Sequence, residues 1–319
     1  MSSDQERLAR YVETWRAAVD DVVLLLRDLP EEEWSCPTDL PGWDVRAVAT
    51  HLAHLESELS GAEQAAVDVP ELEHLTAPSG HHMESGIIAR QSQSTEEIVD
   101  ELVRAVDSRA ADLRENPPED GSAKPPITPA GVPWDWETML RNRVVDVWMH
   151  EQDIRRAVGR PGGMNSPAAG HSLLVLTMGL PYVVGKRVAP PAGTTVVLEV
   201  TGVHPVNLAL EVNEQGRAVP ATSPPEAPTV TLRMDAETFV LLAGGRRDAD
   251  EVKVDIVGDE ELGRHVLAHM ALTIRAPRRQ PPGPSRTSPT SPASERWSPA
   301  SRPVSARPRR WSLRARARK

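Results

Sequence analysis

The 319-residue sequence predicts an α+β protein of more than one domain. A four-helix bundle is expected over residues 1–160, a compact α+β domain over 161–276, and a disordered tail over 277–319. Three observations carry this reading. The first half holds four long stretches whose apolar residues recur at helical spacing. The second half interleaves β-rich runs with short helical ones. The end of the chain is dominated by Pro, Ser and Arg and lacks the apolar residues that a core requires.

The first helix is expected over 4–28, with Leu8, Val12, Trp15, Val19, Val22, Val23 and Leu26 on one face. The second, over 44–60, follows the Pro41-Gly42 turn, with Asp44 as N-cap and Val45, Val48, Leu52, Leu55 and Leu59 as its stripe. The third, over 94–115, opens on Ser94 and Glu97 at capping-box spacing and continues through Ile98, Leu102, Val103 and Val106. The fourth, over 134–158, carries Met139, Leu140, Val144, Val147, Trp148 and Ile154 and stops at Gly159. The connections at 61–85 and 116–133 read as long loops rich in Pro, Gly, Ser and His. Four amphipathic helices joined in this way make a bundle.

In the second half, residues 172–188 read as a mostly buried helix. Strands follow at 194–202 and 206–212, then PTVTLRMD (228–235), a helix over 236–243, the strand EVKVDIVGD (251–259) and the closing helix ELGRHVLAHMALT (261–273). No internal repeat is visible.

Composition narrows the function classes. Hydrophobic residues make up 39% and charged residues 26%, as in ordinary globular proteins. No apolar run is read as long enough for a membrane span, and the acidic N-terminus is unlike a signal peptide. The lone Cys36 excludes an internal disulfide framework and reads as a bystander; a cytoplasmic setting is expected. The net charge of −10 conceals a division. From Arg275 onward, twelve Arg and one Lys face one Glu, a net of +12 that leaves −22 on residues 1–274. So acidic a body argues against nucleic-acid binding by the folded domains. The basic tail reads as an arm for acidic partners, a solvated appendage, or the product of an altered reading frame.

The chemistry-bearing residues sit on the second and fourth helices. His51 lies about 40° round the helix from Leu55, at the rim of the apolar face. His54 falls further round, towards solvent. Asp146 and His150 are four residues apart and share a helix face about 6 Å apart along the axis, also on a stripe's rim. A rim histidine on one helix and an Asp-x-x-x-His pair on another can supply three ligands to one divalent ion, leaving a coordination position open. Spacing alone equally allows an ordinary helix-surface pair. Asp153 is either a competing acidic ligand or a support for a histidine. His81 and His82, in SGHHMESG, are expected to be exposed. Trp43 and Trp148 are expected either in the core or beside the site.

PTDLPGWDVRAVATHLAHLE (37–56), with RVVDVWMHEQDIRRAVGRP some ninety residues later, closely resembles the mycothiol-dependent maleylpyruvate isomerase family. That family belongs to the DinB-like superfamily of metal-binding four-helix bundles. The likeness covers roughly residues 5–275. It implies a DinB-like bundle, a sterol-carrier-like C-terminal domain, and a divalent metal of the zinc type held at the positions of His51, Asp146 and His150. The isomerase pattern has Glu where this chain has Asp146, one methylene shorter. VTLRMDAETFVLLAGGRRDADEVKVDIVGDEEL resembles the family's second domain and implies that Arg246, beside Arg247, serves the active site, where a guanidinium suits a substrate carboxylate.

The resemblance further implies mycothiol as a thiol cosubstrate. A metal-favoured thiolate would add to a small electrophilic or carboxylate substrate, for isomerisation or for thiol transfer. Two other readings stay open at this point: a metal hydrolase using bound water, and a non-catalytic protein that binds a metal or small ligand. No membrane partner is expected.

Overall fold

The computed structural model describes residues 3–72, 75 and 78–273. The predicted tail lies outside the described residues. Helix α1 (Ser3–Arg27) packs on α5 (Trp136–Ala157) and α4 (Thr95–Glu115); α2 (Val45–Leu59) packs on α4 and α5. These are the four expected bundle helices. Their ends form for the expected reasons. The Asp44 carboxylate accepts from Ala47 N at 2.8 Å. Ser94 Oγ accepts from Glu97 N while Glu97 Oε2 accepts from Ser94 N, a complete capping box. Gly159, at φ +65°, ends α5 in the left-handed region where a side chain is strained.

One bundle element differs from expectation. The stretch 61–85 is not loop throughout, because α3 (Pro78–Ala89) begins within it and packs on α2. Its sequence PSGHHMESGIIA has two glycines and little apolar periodicity, so tertiary packing overrides a weak local preference. SGHHMESG is therefore helical.

Past Gly159 the chain enters α6 (Pro167–Met178), capped by Ser166, then the short α7 (Leu180–Tyr182) and a π-helical turn over Val183–Val188. Residues 167–188 are long and apolar enough, by composition, to cross a membrane, which corrects the sequence reading on that point. In this fold Leu173, Leu176, Leu180, Val183 and Val184 of that stretch are buried in the core.

Strands β1 (Thr195–Thr201), β2 (Val206–Val212), β3 (Ala218–Pro220), β4 (Val230–Asp235) and β5 (Asp255–Gly258) form one mixed sheet in the order β3-β2-β1-β4-β5. The β1–β4 pair is parallel and the others are antiparallel. The edge strand β3 was not anticipated, being three residues long and ending in Pro220. α8 (Ala236–Ala243) follows β4, and α9 (Glu260–Ala268) closes the domain.

The two halves share one continuous hydrophobic core, from Leu8 to Met270. α6 packs on both α5 and the sheet domain. At the end of α8, a Cβ on Gly244 would stand 2.3 Å from Met149 Cε, so the turn closes tightly onto α5. That contact delivers the Gly244–Arg247 turn to the back of the bundle site.

Candidate metal centre

The structure brings His51, Asp146 and His150 together. One ligating atom from each lies within 4.8 Å of the others. His51 Nε2 is 3.5 Å from Asp146 Oδ2, and His150 Nε2 is 3.6 Å from Asp146 Oδ1. Bonds of about 2.0–2.2 Å arranged tetrahedrally give ligand–ligand edges of roughly 3.3–3.6 Å, so both separations suit a shared zinc-type ion.

Each ligand is prepared differently. His51 is 4% exposed, and neither ring nitrogen has a hydrogen-bond partner. Buried polar atoms are almost always satisfied, so such an orphan points to a missing ligand. Burial is the main cause that pushes the His51 pKa down, and the cationic surroundings outside Asp146 act in the same direction. The ring is thereby kept neutral, the form that binds metal. His150 is held by Asp153, whose Oδ2 stands 3.1 Å from Nδ1 and leaves Nε2 facing Asp146. Asp146 is half-buried and receives Arg143 Nη1 at 2.7 Å. The charges of Arg143 and the two histidines outweigh burial and hold its carboxyl well below the usual range.

Trp43 closes one side, its ring 5.0 Å from His51 and 6.2 Å from His150 between centroids, with its indole N–H donated to Glu84. Trp148 is fully buried in the core instead.

Asp153 is wholly buried behind His150. It accepts from Arg246 Nε and Nη2 at 3.0 and 2.7 Å and from Arg156 Nη2 at 2.6 Å. Arg246, with His150, outweighs burial and keeps it ionised. Arg246 is buried too, and its Nη1 donates to Gly244 O. Its fork is thus occupied by Asp153, and its position is behind His150 rather than open to a ligand. Arg247 pairs with Asp39 at 2.5 Å.

Three residues outside the sequence reading support the centre. Glu56 on α2 is fully buried and accepts from Trp15 Nε1 (2.9 Å, α1), Arg109 Nη1 (2.7 Å, α4) and Arg143 Nη2 (2.7 Å, α5). It ties all four bundle helices to one carboxylate, and Arg143 passes that order on to Asp146. The signal was a charge inside an apolar stripe, since Glu56 lies one turn beyond Leu52, and Arg143 one turn before Val147.

His54 departs from expectation. It is 1% exposed rather than turned to solvent, because α3 covers that side of α2. His82 is partly buried against Glu58, whereas His81 is exposed.

Comparison with known proteins agrees with this architecture. Residues 15–155 match the family model described as the mycothiol maleylpyruvate isomerase N-terminal domain, and residues 172–265 match the MDMPI C-terminal domain. Together the two matches span most of both described halves. No match is found among curated proteins. Two solved structures are similar: a mycothiol-dependent maleylpyruvate isomerase and a histidine-to-alanine mutant of that enzyme. Each is 16% identical, with a TM-score of 0.47 over 78% of this chain and 92% of the other. The two domain matches, in order along one chain, identify it as a member of the mycothiol maleylpyruvate isomerase family.

Proposed function

We propose that this protein is a metal- and mycothiol-dependent enzyme, an isomerase or thiol transferase acting on a small electrophilic or carboxylate substrate. His51, Asp146 and His150 would hold the ion, with Asp146 supplying a carboxylate oxygen where the isomerase pattern has Glu. The observation that carries this reading is the buried His51 ring, with no hydrogen bond on either nitrogen, facing an Asp–His pair at tetrahedral edge lengths. A divalent ion bound there supplies positive charge that favours the thiolate form of a thiol cosubstrate. Within the chain, Asp153 fixes the His150 tautomer, and Arg246 keeps Asp153 charged and in place. Arg246 is thus a positioning residue. Trp43 shields the two histidines from bulk water on one side. The chain's lone cysteine, Cys36, lies outside the ligand set, so the reactive sulfur comes from the cosubstrate.

The test is metal content by mass spectrometry of the purified protein, with His51→Ala and His150→Ala alongside. One zinc lost in each variant, together with turnover of a conjugated cis-alkene substrate only when mycothiol is added, supports the proposal. Metal-dependent turnover without thiol would assign the centre to hydrolysis instead. No change in bound zinc in either variant rejects the ligand set.

A further inference from the structure

α2 carries a second set of donors, away from the proposed catalytic ligands. His54 and Glu58 are one turn apart and share a face. α3 brings His82 to that face. Its Nε2 lies 3.1 Å from Glu58 Oε2, and its ring centroid is 5.0 Å from that of His54. One ligating atom from each of the three lies within 4.8 Å of the others.

We propose that His54, Glu58 and His82 form a second divalent-metal site of the zinc type, bridging α2 and α3. It does not depend on the function proposed above. Four observations carry it. First, His54 is 1% exposed, and its Nε2 has no hydrogen-bond partner. The Glu58–His82 contact by itself reads as an ordinary ion pair, but it leaves that buried nitrogen unexplained. Second, the other His54 nitrogen is anchored. Nδ1 lies 3.0 Å from Gln64 Oε1, an oxygen able to accept its proton, and in that tautomer Nε2 keeps a free lone pair. A histidine that gives its second N–H to an oxygen acceptor is the usual arrangement around a bound metal. Third, the donor set is two imidazoles and a carboxylate, and the Glu58–His82 separation is close to the edge of a zinc tetrahedron, roughly 3.3–3.6 Å. Fourth, the helices are shaped for the His54 ring. A Cβ at Gly86 would sit 2.2 Å from His54 Cγ and Cδ2, so glycine is what lets α3 close over it.

The one opposing charge nearby is contained. Arg90 Nη1 is within donating distance of His54 Nδ1, at 3.3 Å, while the rest of its guanidinium is paired to Glu101 at 2.6 Å and donates to Gln64. The Arg90–Glu101 pair therefore orders Gln64, which orders His54. Three protein ligands leave a fourth position open to water or another donor.

The full-length protein, stripped with chelator, is titrated with zinc alone and its bound equivalents counted after dialysis. The parent is expected to bind one equivalent more than His82→Ala, and the same equivalent is expected to vanish in Glu58→Gln, a near-isosteric change. The double variant His51→Ala/His150→Ala should retain the equivalent that His82→Ala removes. A parent that binds a single zinc, lost in His82→Ala but not in His51→Ala, would support this site while rejecting the other. Unchanged stoichiometry and affinity in both folded variants, His82→Ala and Glu58→Gln, overturn the proposal.

Discussion

Replacing Glu56 by Gln should lower stability far more than an ordinary polar substitution. The native carboxylate is fully buried and accepts from one indole and two guanidinium groups. Glutamine keeps the shape and one acceptor oxygen but loses the charge. Arg143 retains Asp146 as a partner. Arg109, 4% exposed, keeps only its stacking over the Trp15 ring at 4.7 Å. A buried cation stranded in this way costs about 3–5 kcal/mol. At roughly 2–4 °C per kcal/mol for a folded unit of this size, the melting temperature should fall on the order of 10 °C. Adding Arg109→Met removes the stranded cation, so the double variant should recover part of the loss. The acid dependence carries the same signature. The two arginines outweigh burial and hold the Glu56 carboxyl below its ordinary value. Its contribution is complete above the unfolded pKa, about 4.3, and is lost as pH falls through the folded value. The gap between parent and Glu56→Gln should therefore be widest near neutrality and narrow in acid. Thermal melts from pH 7 to pH 3.5 measure both effects. A variant within about 1 kcal/mol of the parent at pH 7 would refute the view that this carboxylate anchors the bundle.

Two further outcomes follow from the same contacts. Asp153→Asn should weaken zinc binding about 10–100-fold while the protein stays folded, read by competition with a chromophoric chelator, because His150 loses the charged acceptor that fixes its ring. Gly86→Ala should cost about 1–3 kcal/mol in a denaturant melt, since the new methyl overlaps the His54 ring; an unchanged midpoint would show that α3 is free to back away.

Much of the architecture was legible because it rests on local rules. The four bundle helices announce themselves by apolar stripes, and two of them by caps whose hydrogen bonds form as read. The main strands follow from β-branched runs, and α8 forms where expected, with Asp235 accepting from Thr238 N at its start. α3 was not legible, because two glycines and adjacent histidines give no stripe and its stability comes from lying on α2. That omission also displaced His54, since a helical wheel assigns a solvent side only when all neighbours are known. β3 was too short to register. His51, Asp146 and His150 stood at rim positions on two helices, which only the family resemblance turned into a candidate ligand set, whereas the occupation of Arg246 by Asp153 needed the turn at Gly244 to be seen in space.

The buried charges also explain how the bundle keeps its ligands in place with few exposed contacts. Glu56 sits one turn from Leu52 on the face where hydrophobic residues would pack as well, and by stability alone an apolar replacement of the Glu56–Arg143–Arg109 set could serve. What an apolar set could not do is extend to Asp146. Arg143 contacts Glu56 through Nη2 and Asp146 through Nη1, both at 2.7 Å, so one guanidinium couples the centre of the helix packing to the carboxylate of the proposed centre. Asp153 does the same on the other side, joining His150 to Arg246 and thereby to the sheet domain. The Asp–His pair is thus clamped at both ends by ion pairs whose partners lie on different elements, and its two side chains are held at a fixed separation by the protein itself.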